Sequence, residues 1–130
     1  MFDLAGDERS HALAREFYEA GKVVSAVCHG PAALVNVKLS IGTYLVAGQQ
    51  ITGLSDMEEE ILQFSEKMRF LPETELRKRG AIYEKADGPF GINVAISGEN
   101  SKLVTGQNPP SAAVIGESII RVPGCKGVTL

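Results

Sequence analysis

The sequence predicts an α/β sandwich, a mainly parallel sheet flanked by helices. Three observations carry that reading. Segments with helical apolar spacing alternate with short apolar runs rich in β-branched residues, the pattern of strand–helix units. The run Lys22-Val-Val-Ser-Ala-Val27 is apolar on successive residues, as strands buried on both faces are. The 130 residues, 44% hydrophobic and 22% charged, suit one globular domain. A chain of that size buries roughly two-thirds of its unfolded surface.

The elements follow in order. Residues 7–20 read as a helix. Asp7 or Ser10 caps it, Leu13, Ala14, Phe17 and Tyr18 recur at helical spacing, and Gly21 ends it. Residues 22–27 form the buried strand. A second helix runs from 29 to about 37, with Pro31 in its first turn, where a missing N–H costs nothing. Residues 43–53 read as two short strands turning at Ala47-Gly48-Gln49. Ser55 is an N-cap with Glu58 three residues on, the spacing of a capping box, and that helix continues through Ile61, Leu62 and Phe64. Residues 72–80 make a short helix with Pro first and Gly last. Residues 81–84 and 93–97 are strands, 98–101 a turn and 102–105 the returning strand. Asn108-Pro-Pro-Ser111 opens a last helix that carries Ala112, Ala113, Ile115, Ile119 and Ile120. The domain is expected over 1–121, and 122–130 as an irregular tail.

Composition removes several function classes. Thirteen Lys and Arg against sixteen Asp and Glu give a net charge of −3, so no basic excess draws in nucleic acid. No apolar run approaches the ~20 residues that span a bilayer, and the first residues have no secretory pattern. Two cysteines, Cys28 and Cys125, are too few for a disulfide scaffold. The expected compartment is the reducing cytoplasm, with the nucleus as an alternative. Cys28, Cys125, His11 and His29 offer no zinc-ligand spacing, so no metal and no cofactor are expected. His11 reads as a surface residue.

The informative stretch is Ala26-Val-Cys-His-Gly-Pro-Ala-Ala-Leu34. A cysteine stands between a buried strand and a helix start, followed by His29 and Gly30. A nucleophile elbow has this organisation, with small neighbours because the turn is tight. Free N–H groups at the helix start favour thiolate, so a lowered pKa is expected for Cys28. The His29 backbone N–H, with Gly30 beside it, is expected at the oxyanion position. Cys125, in a Pro/Gly tail with no strand before it, lacks these features.

The sequence resembles the ThiJ/PfpI superfamily, in particular its heat-inducible chaperone and glutathione-independent glyoxalase branch. Four stretches carry the resemblance: Ala26 to Leu34, Ile51-Thr-Gly-Leu-Ser-Asp-Met-Glu-Glu-Glu60, Phe70-Leu-Pro-Glu with Leu76 and Gly80-Ala81, and Leu103-Val-Thr-Gly-Gln-Asn-Pro-Pro-Ser-Ala112. It implies the flavodoxin-like, class I glutamine-amidotransferase-like sandwich. It also implies that Cys28 is the nucleophile, His29 its partner, and a carboxylate of the next helix the third member. Glu59 is the first choice there and Glu60 the second. Three consecutive glutamates also suit a solvated first helical turn. Asn108 reads as a cap of the last helix and, by resemblance, borders the site mouth.

The implied reaction converts methylglyoxal, a small 2-oxoaldehyde, to lactate without glutathione. A cysteine peptidase or amide hydrolase uses the same elbow, and a non-enzymatic holding chaperone is the rival from another class. Members of the superfamily are usually longer, and Met1 aligns inside them. The first strands, a loop that shapes the oxyanion hole and a glutamate on the sulfur are therefore expected upstream. On that expectation the chain alone turns over little substrate and exposes apolar sheet edges. Such edges are expected either to aggregate or to pair with another chain, with a homodimer as one form that pairing takes.

Overall fold

The computed structural model of the chain describes residues 2–124. Helix α1 spans Glu8–Glu19, with Asp7 as its N-cap accepting from the Arg9 N–H. Strand β1 is Val24–Val27, and a single 3₁₀ turn, Gly30–Leu34, follows the elbow. Strand β2 is Gln50–Ile51, helix α2 Asp56–Ile61, helix α3 Pro72–Lys78 and strand β3 Ile82–Tyr83. Strands β4, Val94–Ser97, and β5, Leu103–Gly106, precede helix α4, Ala112–Arg121.

The strands form a mixed sheet in two pieces. One piece has the order β1-β5-β4, with β1 parallel to β5 and β4 antiparallel to it. The other pairs β2 and β3 in parallel. A hydrogen bond from the Ser97 hydroxyl to the Gln50 carbonyl, 2.6 Å, links the two pieces.

Central strand β5 is buried along its whole length and shows how the sandwich is built. Leu103 joins a core with Leu34, Val35, Val37, Leu45, Val46, Ile51, Leu76 and Tyr83. Val104 points the other way, to Ile115 and Val122 with Val27 and Ile119 beside them. Alternate β5 side chains thus fill opposite layers, as the period of two demands. Gly106 is required where α4 crosses this strand, because a Cβ there would overlap the Ile115 side chain.

Three sequence expectations change. The helix expected over 29–37 is only the 3₁₀ turn. Its bonds are of the three-residue type, Ala32 N–H to His29 C=O and Val37 N–H to Leu34 C=O, and burial of Pro31, Ala32 and Leu34 anchors it without further turns. The hairpin expected over 43–53 is absent. Leu45 and Val46 are both buried, which breaks strand alternation, and β2 pairs with the distant β3 instead. The α2 helix stops at Ile61 rather than running through Phe64. Within the expected tail, Val122 is buried in the second core, and residues 125–130, with Cys125, lie outside the described residues.

The sheet is open beside β1. Leu13 and Phe17 of α1 are 57% and 43% exposed, and with Val23, Val24 and Leu34 they line a shallow apolar groove. No helix among the described residues is long and apolar enough to cross a membrane.

Candidate active site

The site begins where β1 ends. Cys28 adopts φ 62°, the left-handed region that costs a residue with a side chain about 1–3 kcal/mol unless its surroundings enforce it. The enforcement is visible. The Cys28 N–H bonds to the Gly106 carbonyl, and the Cys28 carbonyl accepts from the Leu54 N–H at 2.9 Å. Gly53 lies so close that a Cβ would meet the Cys28 carbonyl and Pro31 at 3.3 Å. The Tyr83 hydroxyl donates to the Gly53 carbonyl, fixing that segment from below. Tyr83 is itself pushed well above its ordinary pKa, first by burial and then by Glu73.

The elbow points Cys28 at its neighbour. The sulfur is 3.7 Å from Nδ1 of His29, and Nε2 of the same ring is 2.7 Å from Oε1 of Glu59. A carboxylate only accepts, so the Nε2–H donates to Glu59, and in the neutral form of the ring Nδ1 is then the acceptor that faces the thiol. The imidazole is partly open, with its side chain 25% exposed, whereas the Glu59 side chain has no solvent exposure. The second oxygen, Oε2 of Glu59, has no hydrogen-bond partner.

Helix α2 sorts the three glutamates. Ser55 and Glu58 form the expected capping box, which sets the helix start. Glu59 then turns toward His29, and Glu60 stays exposed. Glu58 turns inward. It accepts from the Ser55 N–H and hydroxyl, the Phe90 N–H, Gln107 Nε2 and Asn108 Nδ2. Burial pushes its carboxyl up, yet the bonds from Ser55, Asn108 and Gln107 outweigh burial and hold it below the usual range.

Two expectations about site chemistry are corrected here. The Cys28 thiol lies above its ordinary pKa, not below it. Burial pushes it up, the His29 backbone N–H opposes this, and the Glu58 and Glu59 carboxylates add to the rise. The 3₁₀ turn behind it is too short to supply the expected helix field. Asn108 makes no side-chain cap to the last helix. It is fully buried, donates to Glu58 and the Gly91 carbonyl, and accepts from the Ser111 hydroxyl. His11 is half-buried and contacts the Leu4 carbonyl, away from the site.

Sequence reasoning passed over Gln107 and Phe64, and it read Glu58 as a cap and as one of three carboxylates offered to His29. The inward turn of Glu58 escaped because Phe90, Gln107 and Asn108, which hold it together with Ser55, lie far along the chain. Phe64 lies beside His29, ring centroids 6.5 Å apart. No group of three or more His, Cys, Asp or Glu residues that could hold a metal occurs among the described residues.

Comparison with known proteins matches the chain to a family. The model of the DJ-1/PfpI family matches residues 2–121. Glyoxalase 3 of Candida albicans is 34% identical over 130 residues, covering 96% of this chain and 54% of that protein. Glutathione-independent glyoxalase HSP31 of Saccharomyces cerevisiae is 37% identical over 117 residues, covering 86% of this chain and 48% of that protein. The crystal structure of glyoxalase III from Candida albicans superposes with a TM-score of 0.85 at 33% identity, covering 96% of this chain and 53% of that one. The chain spans about half the length of the curated relatives it matches.

Proposed function

The chain belongs to the DJ-1/PfpI family, and on that premise we propose that Cys28 is the nucleophile of a glutathione-independent glyoxalase-type reaction, with His29 and Glu59 as its partners. The observation that supports this most is the unbroken line from sulfur to imidazole to carboxylate, 3.7 Å and then 2.7 Å. The substrate class is a small 2-oxoaldehyde such as methylglyoxal. The relatives named as glyoxalases support that choice.

A protonated thiol needs a base at the moment of attack. Nδ1 of His29 takes the Cys28 proton as sulfur bonds to the aldehyde carbon, and the imidazolium gives that proton to the new alkoxide oxygen, leaving a neutral hemithioacetal and a free imidazole. Glu59 holds the imidazole in the tautomer that can accept, and stabilises the imidazolium that forms. His29 then moves a proton from the former aldehyde carbon to its ketone neighbour by way of an enediol, as the hydroxyl proton passes to the ketone oxygen. The product is a lactoyl thioester, and water cleaves it to lactate and free thiol. Methylglyoxal plus one water equals lactic acid, so no oxidant, reductant or cofactor enters. The His29 backbone N–H, Gly30 and the loop at Asn108 complete the oxyanion side and the rim in this reading. A thiol nucleophile works in a reducing compartment, so the cytoplasm is its setting.

Single-turnover assay with protein and methylglyoxal at equal concentration tests the proposal. The chain forms lactate slowly, at the low level expected of a chain about half the length of its relatives, and Cys28→Ser forms none. Equal lactate from both proteins defeats the reading.

The groove at Leu13 and Phe17 favours a second reading, a holding chaperone or an edge-paired homodimer. Suppression of client aggregation that persists in Cys28→Ser and disappears in Phe17→Glu supports it.

A further inference from the structure

We propose that Phe64 is a specificity-determining wall of the Cys28 site, one that admits small, neutral carbonyl compounds and excludes bulky ones. The inference rests on the reading of Cys28 as the attacking thiol.

The placement of Phe64 follows from how α2 ends. Gln63 takes φ 57°, the left-handed conformation normally left to glycine after a helix. Its N–H bonds to the Glu60 carbonyl, and the Phe64 N–H reaches back to the Glu59 carbonyl at 3.0 Å. This pair of bonds is a Schellman motif. Glu59 and Phe64 are the two residues that this motif brings together. The same closure therefore sends a carboxylate to Nε2 of His29 and folds an aromatic ring back beside that imidazole, tilted by 45°.

The Phe64 backbone is fixed by the turn that follows it. The Phe64 carbonyl accepts from the Lys67 and Met68 N–H groups, and Lys67 Nζ sits 5.9 Å from the ring centroid. Phe64 remains 36% exposed, so it stands at the rim rather than in the core. A carbonyl compound on Cys28 must lie within proton-transfer reach of His29. In this proposal its substituent extends past the imidazole to Phe64, whose ring centroid lies 6.5 Å from that of His29. A methyl group packs against the ring, and a large group collides with it. Charge acts in the same sense, because Glu58 and Glu59 oppose an anionic acceptor.

Alkylation of Cys28 by two reagents of one chemistry and different bulk tests the wall without requiring turnover. Iodoacetamide and its N-phenyl derivative are compared by peptide mass, in the chain and in Phe64→Ala and Phe64→Leu. Phe64→Ala raises the N-phenyl to iodoacetamide rate ratio at least about tenfold, the lower end of what a steric change in a pocket does. Phe64→Leu, which keeps an apolar side chain there, raises it less. A merely structural role for Phe64 leaves the ratio unmoved, and an unchanged ratio in both variants overturns the proposal. Methylglyoxal and phenylglyoxal consumption is read on the same proteins. If neither is consumed while the alkylation ratio still shifts, the wall stands and the glyoxalase reading falls.

Discussion

Asn108 donates through Nδ2 to Oε1 of Glu58 at 2.8 Å, and neither side chain has any solvent exposure. The bond fastens the exit of β5 to the first turn of α2. The Cys28 backbone hangs from Gly106 on the same β5 strand, and Glu59 follows Glu58 on the same helix. The register between sulfur, imidazole and carboxylate thus depends on a buried anion held by neutral donors.

Glu58→Gln places an amide among five donors that each need an acceptor. Leaving buried donors unpaired costs about 1–3 kcal/mol apiece, partly relieved by relaxation. We expect a loss of about 2–4 kcal/mol in urea unfolding, against a total of only about 5–15 kcal/mol. A loss below about 1 kcal/mol contradicts the ionised, donor-saturated state of Glu58.

Stability should also fall in acid, and the sign is fixed by the direction of the shifts. Burial pushes Glu73 up, but the Asp56 N–H, Lys85 and Arg77 outweigh it, so Glu73 joins Glu58 below the ordinary carboxylate range. A lowered folded value adds stability that is complete above the unfolded pKa of about 4.3. It is lost as pH falls through the folded value. Glu58→Gln should flatten this acid limb between about pH 4.3 and the onset of unfolding, as followed by circular dichroism.

The thiol gives an opposite expectation. Because Cys28 lies above its ordinary pKa, iodoacetamide labelling should be slow at neutral pH and climb past the free-thiol value of about 8.5. Glu59→Gln removes one of the charges that raise it, so the midpoint should move down. A plateau already reached below pH 7 means a preformed thiolate and contradicts the proton-transfer role given to Nδ1.

The apolar groove beside β1 predicts self-association. Light scattering should show concentration-dependent assembly of the chain, reduced in Leu13→Glu and Phe17→Glu, since both side chains are largely exposed on α1. Unchanged assembly in both variants moves the contact elsewhere.

Local signals in the sequence announced what depends on neighbouring residues. The Ser55–Glu58 spacing gave the capping box, and the cap in turn gave the helical phase that separates Glu59 from Glu60. The strand, Cys28, His29, Gly30 and Pro31 in that order announced the elbow that the left-handed Cys28 realises. Non-local terms escaped. The partner of β2 is β3, some thirty residues on, and no hairpin signal at 47–49 could weigh that pairing. The inward turn of Glu58 needs Gln107 and Asn108, and three consecutive glutamates in a first turn look solvated. The thiol's direction reversed because burial and two carboxylates act through space, whereas the sequence displays only the short turn behind it.

The most direct test of the proposed chemistry is peptide mass analysis of protein quenched during single turnover with methylglyoxal. The account predicts a trapped three-carbon adduct on the peptide that carries Cys28, formed before lactate appears and missing in Cys28→Ser. Its yield should fall in His29→Ala and Glu59→Gln, by about 10²–10⁴ in rate for the imidazole that moves the proton. Lactate produced with no adduct at Cys28, or at an undiminished rate in Cys28→Ser, would contradict it.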